Sequence, residues 1–153
     1  MKTHSIKPLV LLGALVVFIT ACGAAAPKKE ATLYERLGGK AAIEAVVNDF
    51  IDTVGSDSRI TNAVVLNRLA EIDIATLKSH VTHLVCGATG GPCEYHGRDM
   101  KTAHNGLRIT DEEFDVVVDD LVQTLSNYQV PEREKNELLA LLGPMRPDIV
   151  EAP

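Results

Sequence analysis

The sequence predicts an all-α fold, one domain built on four long helices. Apolar residues recur three and four apart in four separate stretches between residues 41 and 142. Capping side chains, glycines and prolines stand at the ends of those stretches, and strands find little support anywhere. Size and composition agree: 153 residues, 46% hydrophobic and 24% charged, suit a single domain and exclude disorder and collagen-like repeats.

The first residues read as an export signal rather than as structure. Lys2 and Lys7 flank Leu9 to Ile19, eleven mostly apolar residues against the roughly 20 that a spanning helix needs. Ile19-Thr20-Ala21-Cys22 follows at once and resembles a bacterial lipobox. That resemblance implies a diacylglycerol on the Cys22 thiol and cleavage before it. The expected organisation is a signal peptide at 1–21, a lipidated tether at 22–31 and a folded domain at 32–150. An ordinary secretory signal is the alternative, and export follows from either. Gly23 stands where aspartate is associated with inner-membrane retention, so a Gram-negative cell would carry the protein on the periplasmic side of its outer membrane. Without Lys2 and Lys7 the chain keeps 13 basic and 21 acidic residues, a net charge of −8. So acidic a domain, with no basic stripe, excludes a nucleic-acid partner.

The first long helix runs from Ala41 to Val54 behind the break Gly38-Gly39, with Ala42, Ile43, Val46, Val47, Phe50 and Val54 on one face. Asp73 caps the second, in which Ile74, Leu77, Val81, Leu84 and Val85 share a face until Gly87, Gly90, Gly91 and Pro92 end it. A loop follows that carries much of the chemistry. Thr110-Asp111-Glu112-Glu113 has the capping-box pattern, and Phe114, Val117, Val118, Leu121, Leu125 and Tyr128 mark the third helix. Pro131 opens the fourth, Leu138, Leu141 and Leu142 face inward, and Gly143-Pro144 closes it.

Behind the signal the aromatics are Tyr34, Phe50, Tyr95, Phe114 and Tyr128, with no tryptophan in the chain. So lean a core allows either a bound apolar cofactor or a plain filling of Leu, Val and Ile. Four histidines remain there, His80, His83, His96 and His104. On the second helix His80 borders the buried face, three residues beyond Leu77 and four before Leu84, whereas His83 turns to the flank. Position alone leaves His80 either a ligand or a packed core residue, and leaves His104 equally open.

The run Tyr95-x-Gly97-x-x-Met100-x-x-x-His104-x-x-Leu107 resembles the stretch that carries the proximal haem histidine in group I of the truncated haemoglobins. Leu33-Tyr34-x-x-Leu37-Gly38-Gly39, Phe50, Gly90-Gly91 and Phe114 resemble further landmarks of that family, in order, over about residues 32 to 150. The resemblance implies a two-over-two helical sandwich around haem b and its iron, with His104 as the proximal ligand. It implies haem contacts for Phe50, Leu77, Val81, Tyr95 and Met100. His80 matches the distal-helix site where some cyanobacterial relatives place a sixth ligand. A bis-histidine resting state is therefore expected, the alternatives being a hydrogen bond from His80 to a bound ligand or to a propionate. Ile51 stands where the family often has tyrosine, Val81 where glutamine is frequent, and Val64-Val65 where phenylalanine usually wedges the haem. The distal side is then apolar apart from His80, and a donor lost there changes affinity by up to about tenfold.

Arg98 and Lys101 flank the proximal run as partners for haem propionates or as solvated charges, and Tyr95 reads as a haem contact or as a structural aromatic beside Gly97. Cys86 and Cys93 permit a disulfide, two free thiols, or, with His96 and His104, a zinc site whose spacing fits no familiar knuckle. No Cys-x-x-Cys-His occurs, so a c-type covalent link is not expected and the haem is expected to be non-covalent. The expected function is reversible binding of dioxygen or another diatomic gas. The rivals are nitric oxide dioxygenation or peroxide reduction, both requiring an electron source, and electron transfer to an unknown periplasmic redox partner.

Overall fold

A computed structural model describes residues 30–151. The export signal, Cys22 and all but the last two residues of the tether lie outside the described residues. Eight helices follow in order: α1 (Leu33–Arg36), α2 (Gly39–Ser56), α3 (Ala63–Glu71), α4 (Ile74–Ala88), α5 (Met100–His104), α6 (Asp111–Asn127), α7 (Glu132–Leu142) and, after a 3-10 turn at Gly143–Met145, α8 (Arg146–Ile149). No strand occurs among the described residues, and no helix there is long and apolar enough to cross a membrane.

Four of these are the long helices read from the sequence, and their ends obey the expected chemistry. Asp73 caps α4 by accepting from the Ala75 amide at 3.2 Å. Thr110 and Glu113 form the reciprocal capping box of α6, at 3.1 and 3.2 Å. Each such cap contributes about 1 kcal/mol. A second capping box, Thr32 with Glu35, starts α1, and Gly38 at φ 91° turns the chain into α2 at an angle closed to side chains with a Cβ.

Helix α2 is the hub, packing on α4 and on α6, while α1 bridges α2 to α7. Leu33, Ile43, Val47, Val85, Cys86, Leu125 and Leu138 form the buried core where α1, the first half of α2, the last turns of α4 and α6, and α7 converge. The ion pair Arg36–Glu134, at 2.9 Å, closes the outside of that end. Ile60 and Leu107 are buried outside that cluster, and Ile51 and Val81 pack against it half-buried. Neither α3 nor α5 contributes a buried residue, and Val64, Leu66, Ile72 and Ile74, on α3 and around the start of α4, are 36–40% exposed.

Several local expectations are corrected. The segment after α4 holds the short helix α5 where a loop is expected, and α3 lies where the apolar pattern predicts no helix. Tyr128 is the C-cap of α6 rather than a core residue, 41% exposed, with its hydroxyl donating to Asp49 Oδ2 at 2.7 Å across α2. Leu141 is 42% exposed, because α7 uses Leu138 for burial. As expected, Gly143-Pro144 closes α7, with Gly143 as its C-cap, and the chain continues through the 3-10 turn into α8.

Candidate functional site

Asp99 caps α5 by accepting from the Thr102 amide at 2.9 Å, and its bonds to Thr102 hold its carboxyl below the usual range. The helix lasts five residues and ends on His104. There Nδ1 of the imidazole lies 2.7 Å from the carbonyl oxygen of Met100, one turn back. A carbonyl only accepts, so Nδ1 carries the hydrogen and donates it. In the neutral ring Nε2 then keeps its lone pair, the arrangement by which proteins orient a metal-ligating histidine.

The turn after His104 is pinned from two sides. The Asn62 side-chain amide donates to the carbonyls of Leu107 and Arg108, at 2.9 and 3.2 Å, and to Glu113 Oε2 at 3.2 Å, while its Oδ1 caps α3. From the other end of the domain Glu151 accepts from the amides of Gly106 and Arg108, both at 2.8 Å, and these two amides lower its carboxyl. Gly106 at φ 82° and Arg108 at φ 55° take the left-handed backbone this turn requires. Behind it, α5 rests on α8, and Arg146 of α8 stacks its guanidinium over Phe114, 4.5 Å from the ring centre, while pairing with Asp111 and Asp115 of α6.

On α4, His80 is half-buried between Leu77 and Val81, themselves half-buried, and its ring meets that of Tyr95 edge-on, with centroids 6.2 Å apart and planes at 77°. Tyr95 Oη donates to the Arg98 carbonyl at 2.6 Å. Burial and then Asp99 push the Tyr95 phenol up. Phe50 and Ile51 on α2 and Met100 on α5 are half-buried, and Arg98 and Lys101 are exposed. The structure thus brings together His80 and Tyr95, and separately Met100 and His104.

Cys86 and Cys93 are joined in a disulfide with Cα atoms 5.6 Å apart. This corrects the zinc alternative: both sulfurs are bonded to each other, and no metal-competent group of three His, Cys, Asp or Glu side chains occurs among the described residues. Two surface clefts lie elsewhere. One, of about 340 Å³, is lined by Asp49, Asp52 and Tyr128 among others; the second, of about 240 Å³, lies between α2 and α4 beside His83 and the buried, unpartnered hydroxyl of Thr82. Neither includes an expected haem residue.

The donor set and its surroundings fit a haem. A histidine with one nitrogen tied and the other free ends a helix that buries nothing of its own. On α4, Leu77 and Val81 stay half-buried, Val81 packing against the edge of the core, and Phe50 on α2 is likewise half-buried. Asn62 and Glu151 escaped the sequence reading. An asparagine just before an apolar run was a legible capping signal, whereas nothing marked Glu151.

Comparison with known proteins gives the same answer from a different direction. The model of the bacterial-like globin family matches residues 32–151. The group 1 truncated hemoglobin GlbN of Synechocystis sp. is 36% identical over 116 residues, covering 73% of this chain and 90% of that protein. Crystal structures of truncated hemoglobin from Tetrahymena pyriformis in the Fe(III) form (28% identity, TM-score 0.71) and of the 2/2 hemoglobin from Synechococcus sp. (32% identity, TM-score 0.70) each cover 78% of this chain and 98% of their own. The chain belongs to the bacterial-like globin family and has the two-over-two helical fold of its truncated members.

Proposed function

We propose that this globin binds haem b non-covalently and takes up dioxygen or another diatomic gas reversibly, with His104 holding the iron from α5 and His80 standing on the α4 side. The observation that carries this reading is the bond from His104 Nδ1 to the Met100 carbonyl, which leaves Nε2 free. The relatives support it by name, as hemoglobins, and the Synechococcus neighbour is described in the cyanomet state with covalently attached heme. In this chain Cys86 and Cys93 are spent on one another, so no thiol among the described residues is available for a thioether link.

Bound haem would supply an iron centre able to accept a diatomic molecule. Phe50, Leu77, Val81 and Met100 would give it apolar walls, Tyr95 an aromatic edge, and Arg98 and Lys101 cations for its propionates. Ile51 and Val81 offer no hydrogen-bond donor, so His80 is the one residue named on the distal side that can donate to an incoming ligand. Where His80 instead takes the sixth position, apparent affinity falls in proportion to the open fraction.

The lipobox-like Ile19-Thr20-Ala21-Cys22 supports export and anchoring of the domain to a membrane through lipid on Cys22. Mass spectrometry of the N-terminal peptide tests this, with an unmodified or uncleaved cysteine refuting it. For the haem, the decisive experiment is the optical spectrum of protein expressed with ample porphyrin. A pigmented protein is expected, with His104→Ala losing the pigment and His80→Ala turning a six-coordinate ferrous spectrum five-coordinate. Colourless protein, or pigment held equally well without His104, refutes the assignment. Failure of the ferrous form to bind carbon monoxide on any practical timescale would remove gas binding.

A further inference from the structure

The Cys86–Cys93 disulfide ties the last turn of α4 to the loop that leads to α5. Two residues beyond Cys93, Tyr95 reaches back to the middle of α4 and packs against His80. The loop grips that tyrosine locally. Its hydroxyl is bonded to the Arg98 carbonyl at 2.6 Å, and Gly97 lies so close to the ring that a Cβ there would collide with it. The near end of the loop is equally tight: the Gly91 amide donates to the Cys86 carbonyl at 2.8 Å, and a Cβ on Gly91 would come within 2.7 Å of Cys86 Sγ. The disulfide, the loop, Tyr95 and His80 therefore form one continuous chain of contacts from the base of α4 to its middle.

An imidazole on a helix ordinarily samples several rotamers, and fixing it on a metal costs that freedom. A ring already packed against an immobile aromatic has lost part of it beforehand. We propose that Tyr95, braced by the Cys86–Cys93 disulfide, is a positioning residue for His80. It holds the imidazole ready for the haem, so that opening the disulfide leaves the α4 side of the haem open for more of the time. This rests on the reading of His80 as the residue on that side.

The redox step needs a dithiol reductant. Its thiolate attacks Sγ of Cys93, which is half-buried where Cys86 is fully buried. The disulfide bond breaks with its electron pair passing to the Cys86 sulfur, which takes a proton. The second thiol of the reductant then closes on the first and expels the Cys93 thiolate, which is protonated in turn. Two electrons and two protons pass to the protein, and the dithiol ends as its own disulfide.

The test uses the full chain loaded with haem, in the ferrous state, with thiols counted in each sample. The six-coordinate share of the spectrum gives the ratio of closed to open haem, and stopped-flow mixing gives the carbon monoxide association rate. Tyr95→Leu, Cys93→Ser and the dithiol-reduced parent should each lower the closed-to-open ratio roughly two- to tenfold, the worth of one edge-to-face ring pair, and speed association correspondingly. Tyr95→Phe, which keeps the ring, should recover most of what Tyr95→Leu loses. In a His80→Ala background neither Cys93→Ser nor dithiol reduction should alter the association rate. Independently of gas binding, proton NMR of the diamagnetic six-coordinate form should show a nuclear Overhauser contact between the two rings that weakens on reduction.

A ratio that stays the same or rises in Tyr95→Leu and in the reduced parent, while His80→Ala does change the parent's spectrum, overturns this inference alone. An effect of Cys93→Ser or of reduction that persists without His80 makes the disulfide merely structural and also overturns it. A parent indistinguishable from His80→Ala overturns the reading of His80 together with this inference.

Discussion

Asn62 is the residue through which the α2–α3 corner grips the turn behind His104, and its two ends can be separated by mutation. Its Oδ1 caps α3 by accepting from the amides of Val64 and Val65 at 3.0 and 3.4 Å, and its Nδ2 donates to the carbonyls of Leu107 and Arg108. Asn62→Ala removes both functions. Loss of the cap costs about 1 kcal/mol, and the Leu107 carbonyl, on a residue only 7% exposed, loses its partner for about 1 kcal/mol more. The sum of about 2 kcal/mol, spread over the unfolding entropy of a domain of roughly 120 residues, lowers the melting temperature by about 8 °C. Asn62→Asp keeps the cap and loses only the donors, while placing a carboxylate beside Glu113, whose Oε2 accepts from Asn62 Nδ2 at 3.2 Å. It should therefore fall by the carbonyl share and the new repulsion, without the cap's contribution. Urea titrations of the three proteins with a common slope give the values directly. An Asn62→Ala loss below about 0.5 kcal/mol would refute the reasoning.

Acid should unfold the protein partly through Asp57. Hydrogen bonds from the Arg59 side chain and amide lower its carboxyl from 3.8 to about 2, so its contribution is complete above pH 3.8 and disappears as the pH falls toward 2. Urea midpoints measured between pH 2 and 5 should decline less steeply in Asp57→Asn, and an unchanged profile would contradict the assignment. Asp120, raised by burial and by Asp57, runs the opposite way, its share being lost as pH rises. Glu151→Ala should speed hydrogen exchange at Gly106 and Arg108, whose amides it accepts, and leave the α2 core amides unaffected; equal rates at the turn would show that the carboxylate holds nothing. Cys93→Ser opens a loop of sequence separation seven, for which the chain-entropy relation gives about 2.5 kcal/mol, a drop of about 10 °C by calorimetry. No change in the melting temperature would count against that cross-link.

The four long helices were legible because each buries one face, and the sequence spells out side-chain caps for two of them, Asp73 for α4 and Thr110–Glu113 for α6. Helix α3 was not, since Val64, Val65, Leu66 and Leu69 are apolar without being buried, and periodicity reports burial. Helix α5 is five residues long, too short for any period to show. His104 stood out only through the spacing of its neighbours in a family motif; its bond to Met100 is local and was implicit in a separation of four. The meeting of Tyr95 with His80, fifteen positions apart, and that of Glu151 with Gly106 depend on how loops close. No pattern of residue types announces such contacts.

Helix α8 matters beyond its own four residues. The wall behind His104 is made of residues 146–151: Arg146 fastens that last helix to α6, α5 leans on it, and Glu151 ties down the turn. Loosening those six residues would leave the turn after His104 gripped by Asn62 alone, so a site in the middle of the sequence answers to residues more than forty positions further on.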